Sequence, residues 1–376
     1  MRNINYYVKR FGKFSLAEHP YCDVDALIFS QLSYLTYEGS VGGISEKKDD
    51  VCFSDLNTKE QHDLLISETL APRHNKKLIR LIQNSVRYKN LKVNYFRNRV
   101  DEDKEMQFGA IVFVIDGLNI VAFRGTDTTF VGWKEDFNMS YMDVIPAQEQ
   151  CLIYLHRVAD ILKGDLHLCG HSKGGNLATY ASIFTDVEIQ KRIASVYDFD
   201  GPGFKRDIFG SEQYKNVARK IHKYIPRDSM IGLIMHNMPK YQIVRCRGIS
   251  MMQHDPFRWC TTKQGRLDIT ESTTFNCKVF ERAIKEFMNC YSDAERERIV
   301  KLTYSIFNAY ERSSFVDFRS RKMQYLRAFL KRYRDMNDEQ VAYIKKTFRE
   351  YWNLYHYVRK QMKRERKDLK RRKVCI

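Results

Sequence analysis

The amino-acid sequence predicts an α/β fold: a mostly parallel sheet with helices on both faces, followed by a C-terminal helical extension. Two observations predict it. Between residues 91 and 246, short apolar segments of strand type alternate with segments of helix type, as in a parallel sheet whose strands are joined by helices. From about residue 274, strand-type segments vanish and helical ones dominate. We therefore predict two regions, residues 1–272 and residues 273–376.

The elements follow in order along the chain. Residues 1–20 are polar and aromatic, and we expect them to pack loosely. Asp116-Gly117 between two apolar segments is a strong hairpin signal. The predicted strands cover residues 91–96, 109–115, 118–123, 165–170, 193–199, 221–225 and 241–246. The predicted helices cover residues 23–35, 59–70, 75–85, 146–163 and 176–184, with another opening at 132.

The C-terminal region has two helix-start signals. Ser292 with Glu295 forms a capping-box pattern, and Asn337 with Gln340 is a similar start. The second of these opens a long predicted helix over residues 337–373, whose aromatic positions give way to charge.

The charge of the chain is unevenly distributed. The formal net charge is +18, and residues 359–373 hold ten Lys or Arg against two acidic residues, a local charge of +8. Such a segment is either a solvated helix end or a contact for an anionic membrane surface. The sequence predicts no specific nucleic-acid partner, and it does not indicate an oligomeric state.

The composition predicts a cytoplasmic protein. No apolar segment approaches the ~18 residues that a membrane-spanning helix needs, and the N-terminal residues carry no secretory signal pattern. The nine cysteines are dispersed without a C-x-x-C pair, which favours reduced thiols over a disulfide framework.

The segment from Asp165 to Ala178 is the feature around which the chain is organised. An apolar strand ends at Gly170, G-H-S-K-G follows, and a helix begins almost at once. In a strand–turn–helix context, G-x-S-x-G presents its serine, here Ser172, above the sheet edge at strained backbone angles. The helix that follows points main-chain N–H groups at the same place. The pattern therefore predicts a nucleophilic serine beside an oxyanion site.

A serine nucleophile needs a base and an acid that orients the base. In this type of site the chain order is serine, acid, histidine. His254 lies in a polar loop after the last predicted strand, where the base is expected, while His222 and His236 are alternatives. The acid candidates are Asp228, directly after one strand, and Asp200, after the strand before it.

These motifs resemble the class 3 (fungal-type) lipase branch of the α/β-hydrolases and, more closely, a family of bacterial lipase-like serine hydrolases of poorly known substrate. The resemblance covers residues 23–259, which is most of the first region. The segments that carry it are FRGT at 123–126, GWKEDF at 132–137, GHSKGGNLA at 170–178, FDGPGF at 199–204, PRDS at 226–229 and QHDPF at 253–257.

The resemblance implies an α/β-hydrolase fold, with Ser172 as nucleophile, Asp228 as acid and His254 as base. It also implies an oxyanion hole formed by Thr126 and the main-chain N–H of Lys173. Trp133 and Phe137 are interpreted as core positions on a helix face, and Asp255 as a carboxylate that caps its loop.

The predicted function is a serine hydrolase that cleaves a small acyl ester, lipid ester or thioester through an acyl-enzyme. No cofactor and no metal is predicted. Acyl transfer to an amine or alcohol is an alternative, because it uses the same acyl-enzyme. A non-catalytic protein of the same fold that binds anionic membrane surfaces is the second alternative.

Overall fold

A nine-stranded sheet organises the protein in the computed structural model, which describes residues 2–45, 50–127, 129–307 and 322–374. Within those ranges the strands lie side by side in sequence order. The five central strands, β4 to β8, are parallel, and the outer pairings are antiparallel. The strands are β1 (Val51–Cys52), β2 (Lys92–Asp101), β3 (Met106–Ile115), β4 (Leu118–Phe123), β5 (Leu166–His171), β6 (Ile193–Phe199), β7 (Ile221–Pro226), β8 (Gln242–Val244) and β9 (Ile269–Thr270). The predicted mostly parallel sheet is confirmed.

Helices cover both faces of this sheet, as the sequence predicts. In chain order the helices of the described ranges are α1 (Ile4–Phe11), α2 (Asp23–Leu32), α3 (Lys59–Leu65), α4 (Pro72–Gln83), α5 (Phe130–Asn138), α6 (Pro146–Ile161), α7 (Lys173–Phe184), α8 (Val187–Arg192), α9 (Glu212–Val217), α10 (Phe275–Asn289), α11 (Asp293–Phe307), α12 (Lys322–Asp335) and α13 (Asp338–Val374). Helices α1, α2 and α4 pack on one face, and α6, α7 and α9 on the other.

Strand β3 contributes side chains to the hydrophobic cores on both faces of the sheet. Its side chains alternate between the faces: Ile111 and Phe113 pack with α1, α2 and α4, whereas Phe108 and Val112 pack with α6 and α7. Because successive side chains of a strand point to opposite faces, a strand covered on both sides reads as a continuous apolar segment.

The N-terminal residues pack tightly, so the prediction of loose packing is wrong. Ile4, Tyr7 and Val8 of α1 are at most 2% exposed. The hydroxyl of Tyr7 donates to the buried carboxylate of Asp25, which also forms an ion pair with Arg87. The position of the N-terminal helices therefore depends on an arginine that is distant in sequence, and local sequence patterns do not reveal this contact.

Local signals located the turns and caps correctly. Asp116 and Gly117 both have positive φ, 46° and 85°, and join β3 to β4 in the predicted hairpin. Ser292 and Glu295 exchange the two hydrogen bonds of a capping box. Strands β1 and β9 were missed, because two-residue edge strands carry almost no sequence pattern.

Two of the C-terminal helices, α10 and α13, form an antiparallel pair that packs against the body of the protein. Val358 of α13 is buried against Val279 and Ala283 of α10, and Arg282 donates to Gln361. Helix α13 spans 37 residues, matching the predicted long helix. In the described ranges, no helix combines the length and apolar character that crossing a bilayer requires.

Candidate active site

Ser172 lies at the sharp turn between β5 and α7, at φ 58° and ψ −134°. This positive φ is strained for a residue with a side chain. The turn is held by its neighbours, since the main-chain N–H of Ser172 donates to Phe199 O at 2.9 Å. Strand β5 thus ends in the nucleophile-elbow geometry that G-H-S-K-G predicts.

The two glycines of the motif are required by close approach. A Cβ on Gly170 would lie 2.1 Å from the main-chain oxygen of Gly174. A Cβ on Gly174 would lie 2.2 Å from the main-chain oxygen of Phe123 at the end of β4. Any side chain at either position would therefore push the elbow away from its strand or its helix.

His254 forms a close pair with Asp200. The Nδ1 atom of His254 lies 2.6 Å from Oδ2 of Asp200, whose side chain is fully buried. The other carboxylate oxygen, Oδ1, accepts hydrogen bonds from Ser229 Oγ at 2.6 Å and from Gly232 N at 3.0 Å. Asp200 is therefore held from two sides while it orients the imidazole.

The structure corrects the expected pairing of Asp228 with His254. Asp228 accepts hydrogen bonds from Ser250 N, at 2.7 Å, and from the hydroxyl of Thr274, so it ties together the His254 loop and the start of α10. Asp200 follows β6, which adjoins β5, whereas Asp228 follows β7, one strand farther from Ser172. Each strand adds ~4.8 Å, so Asp200 is the acid nearer to Ser172, and the His254 loop reaches back to it. The main chain of His236, the alternative base, bridges to Phe204, and the histidine that contacts the Asp200 carboxylate is His254.

Thr126, the residue predicted for the oxyanion hole, has a hydroxyl that is already engaged. Its Oγ1 atom donates to Oδ2 of Asp136 at 2.5 Å. Burial raises the pKa of the Asp136 carboxyl to about 6. While that carboxyl is ionised, the Thr126 hydroxyl proton points towards it, and the donor that Thr126 retains for a ligand is its main-chain N–H.

Lys173 contributes its main chain to the site and its side chain to the core. As the first residue of α7, its N–H has no partner within the helix. Its Nζ atom is fully buried and bonds to Glu135 Oε2 at 2.7 Å and to the main-chain and side-chain oxygens of Gln107, both at 2.8 Å. All three ammonium donors are satisfied, and they fasten the start of α7 to β3 and α5.

We expect Glu135→Ala to lower the free energy of unfolding by about 3–5 kcal/mol, because it leaves the buried Lys173 ammonium uncompensated. Glu188→Ala is the matched control: Glu188 also pairs with a lysine, but both side chains are mostly exposed, at 81% and 66%. That change should cost less than about 1 kcal/mol. Urea denaturation of both variants measures the difference, and equal losses would contradict the assignment of a buried ion pair here.

His171, inside the elbow motif, contacts His254 directly. Its ring packs against that of His254 with centroids 4.5 Å apart. Nε2 lies 2.8 Å from His254 O and Nδ1 lies 3.0 Å from the Tyr34 hydroxyl. Burial, and then the charge of His254, lower the pKa of His171 well below its ordinary value. A neutral His171 donating from Nε2 to His254 O thus anchors the His254 loop, a role that the sequence did not reveal.

These groups converge on one cavity of about 420 Å³, which we name the elbow cavity. Ser172, His254, Thr126 and Lys173 all line it. Most of its remaining wall is apolar and comes from Leu70, Ala71, Trp133, Phe137, Pro202, Ile231, Ile234, Met251 and Pro256.

Two residues of the cavity wall, Trp133 and Phe137, were interpreted from the sequence as core positions on a helix face. Trp133 and Phe137 line the cavity instead of a closed core, and Phe137 is 46% exposed. Helix periodicity places both on an inward face but does not reveal that this face borders a cavity. Asp255 does cap its loop, as predicted, by accepting from Phe257 N at 3.0 Å.

The site contains no evident metal centre. Among the described residues, no group of three or more His, Cys, Asp or Glu side chains converges in a way that could hold a metal ion. The Ser172 hydroxyl and the oriented imidazole of His254 border one cavity, with main-chain N–H groups nearby.

Comparisons with known proteins relate the chain to lipase-like proteins. The sequence model of the Mbeg1-like family matches residues 82–305. Among solved structures, the crystal structure of M37 lipase is similar over 55% of this chain and 68% of that chain, with 16% sequence identity and a TM-score of 0.35. No curated protein matches the sequence.

Proposed function

Because the chain belongs to the Mbeg1-like family, which is lipase-like, we propose that it is a serine hydrolase that cleaves acyl esters or thioesters through an acyl-enzyme. One observation carries the proposal. The strained Ser172 and His254, whose imidazole is paired with Asp200, line the same mostly apolar cavity. An apolar pocket with a few convergent polar groups is the usual form of a small-molecule site.

The proposed reaction uses these residues in sequence. His254 takes the proton of the Ser172 hydroxyl as its oxygen attacks the carbonyl carbon, and Asp200 stabilises the imidazolium. The main-chain N–H groups of Thr126 and Lys173 donate to the oxyanion, and each such donor contributes about 3–4 kcal/mol in comparable sites. His254 then protonates the leaving alcohol or thiol, and the acyl group remains on Ser172.

The second half-reaction decides between hydrolysis and acyl transfer. Water, activated by His254, releases a carboxylic acid and restores Ser172. An amine or alcohol in the same place would yield an amide or a new ester. Since the acyl-enzyme is common to both, we place acyl transfer second. A purely binding role accounts less well for the strained elbow, the oriented histidine and the paired donors occurring together.

A direct test combines turnover with active-site labelling. The purified protein is expected to hydrolyse p-nitrophenyl butanoate and to form a stoichiometric adduct with a fluorophosphonate, located by mass spectrometry on the peptide containing residues 165–178. Product analysis with added alcohol distinguishes hydrolysis from transfer. An adduct elsewhere, or no ester turnover with any leaving group, would contradict the proposal.

The basic end of α13 is a separate proposal, for an anionic membrane surface as partner. Residues 359–373 carry a charge of +8. Just before them Phe348, Trp352 and Tyr357 are more than 60% exposed. Aromatic side chains of this kind settle at the headgroup level of a bilayer, and nearby basic residues are attracted to anionic lipid.

Replacing Lys363, Arg364 and Lys367 by glutamine tests this proposal. Each basic residue near an anionic surface contributes about 1 kcal/mol, so the triple variant should bind anionic vesicles on the order of 100-fold more weakly. The exposed Lys331, Arg332 and Arg334 of α12 form the matched control. Vesicle sedimentation at low and high salt provides the measurement. Equal binding by both variants, or binding that is insensitive to salt, would leave residues 359–373 as a solvated helix end.

A further inference from the structure

Two further cavities lie next to the elbow cavity. A second cavity of about 360 Å³, the middle cavity, shares Asp136, Phe137, Ile231 and Ile234 with it. The middle cavity lies between the segment after β7 and helices α10 and α11. The elbow and middle cavities are therefore neighbours that have part of their walls in common.

A third cavity of about 350 Å³, the outer cavity, continues the row between α10, α11 and α13. Its wall and that of the middle cavity share five side chains, namely Phe137, Phe280, Ile284, Phe287 and Ile299. Phe137 borders all three cavities. We call the row the acyl channel, for the occupant argued below.

The walls that the cavities share are apolar apart from Asp136. Two charged residues of the middle cavity are engaged with protein partners: Lys205 pairs with Asp143 and Asp293, and Arg296 donates to the main-chain oxygens of Met288 and Ser140. Lys285 also lines the middle cavity and is exposed. The shared walls therefore suit a hydrocarbon chain better than an ionic ligand.

All three cavities are partly open to solvent and yet are lined mainly by apolar side chains. Contiguous exposed apolar surface of this kind is typical of ligand-binding grooves and interaction sites. Phe137 lies between the body and the C-terminal helices and is still 46% exposed, as expected of a side chain that borders a space for a ligand.

We propose that the channel holds the acyl chain of the substrate, so that the enzyme acts on long-chain acyl esters and the C-terminal helices α10 and α11 form the far wall of its acyl site. This rests on the proposed function, since the carbonyl would lie at Ser172 at one end of the row. A short acyl group would occupy the elbow cavity alone. Only a long one would reach Ile284 and Ile299.

The specificity test uses p-nitrophenyl esters from butanoyl to hexadecanoyl. Each buried methylene should raise kcat/KM by up to about fourfold, and the increase should continue past chain lengths that fill the elbow cavity. Ile284→Trp and Ile299→Trp, on two different helices, should each lower the hexadecanoyl-to-butanoyl ratio of kcat/KM by about tenfold or more. Lys278→Trp, exposed on the same helix as Ile284, is the matched control and should leave that ratio as in the wild type.

A binding measurement separates the channel from the catalytic proposal. Hexadecanoic acid should bind Ser172→Ala protein in isothermal titration, and adding Ile284→Trp should weaken that binding about tenfold. If the protein hydrolyses no ester but shows this binding pattern, the channel stands and the proposed function fails. If it hydrolyses esters while the tryptophan changes alter neither the ratio nor the binding, the channel is wrong. Should both tryptophan variants unfold, Ile284→Ala and Ile299→Ala should shift the preference towards longer chains, and an unchanged preference would overturn the proposal.

Discussion

Replacing Ser172 by alanine is expected to abolish ester hydrolysis and fluorophosphonate labelling together. Removing the hydroxyl removes the only atom that can form the proposed acyl-enzyme, and loss of a serine nucleophile lowers kcat by about 10⁶-fold in comparable triads. Alanine is no more strained than serine at the positive φ of the elbow, so the fold should persist.

The matched control for this change is Ser182→Ala. Ser182 lies on α7, the helix that follows the elbow, and its hydroxyl donates only locally, to Thr179 O at 2.8 Å. This variant should retain labelling and turnover within a few-fold of the wild type. Labelling that survives in Ser172→Ala, or that disappears in Ser182→Ala while the protein stays folded, would exclude Ser172 as the nucleophile.

Replacing Asp200 by asparagine is expected to lower kcat by about 10⁴-fold, the loss seen when a triad acid is made neutral. Asparagine at that position would favour the wrong tautomer of His254 and could not stabilise its imidazolium. Since Asp200 Oδ1 accepts from Ser229 and Gly232, a modest loss of stability should accompany the change.

Asp228→Asn is the matched comparison. Asp228 also follows a strand and also supports the His254 loop, but through Ser250 N and the Thr274 hydroxyl instead of the imidazole. We expect a loss of kcat of about tenfold or less. Kinetics with butanoyl ester and thermal unfolding of both variants distinguish the roles. If Asp228→Asn is the inactive variant and Asp200→Asn is not, the acid acts from the farther strand and the pairing in the structure is not the catalytic one.

Much of the fold could be predicted because its signals are local. The Asp116-Gly117 turn, the Ser292 capping box and the apolar segments of β3 to β7 each lie within a dozen residues of sequence. The N-terminal helix was misjudged for the opposite reason. Its position depends on Asp25 and on Arg87, which lies some 80 residues farther along the chain than Tyr7.

The residues of the candidate site also differ in whether local sequence predicts them. Ser172 and the N–H of Lys173 belong to one continuous motif, and a strained turn has a recognisable sequence. The acid has no such motif, because Asp200 and Asp228 both follow strands and both stand near glycine or serine. Choosing between them requires knowing which strand adjoins β5, and that is a property of the assembled sheet.

By itself the sequence therefore determined the fold class, the elbow with Ser172, and His254 as the histidine of the last loop, because each depends on residue types and their spacing along the chain. Only the tertiary structure decided that Asp200 and not Asp228 meets His254, that His171 anchors the His254 loop, and that Trp133 and Phe137 border a cavity. The physical reason is that hydrogen bonds of 2.6–3.0 Å and apolar cavities arise between segments far apart in sequence. Their partners are chosen by strand order and helix packing, which no single segment encodes.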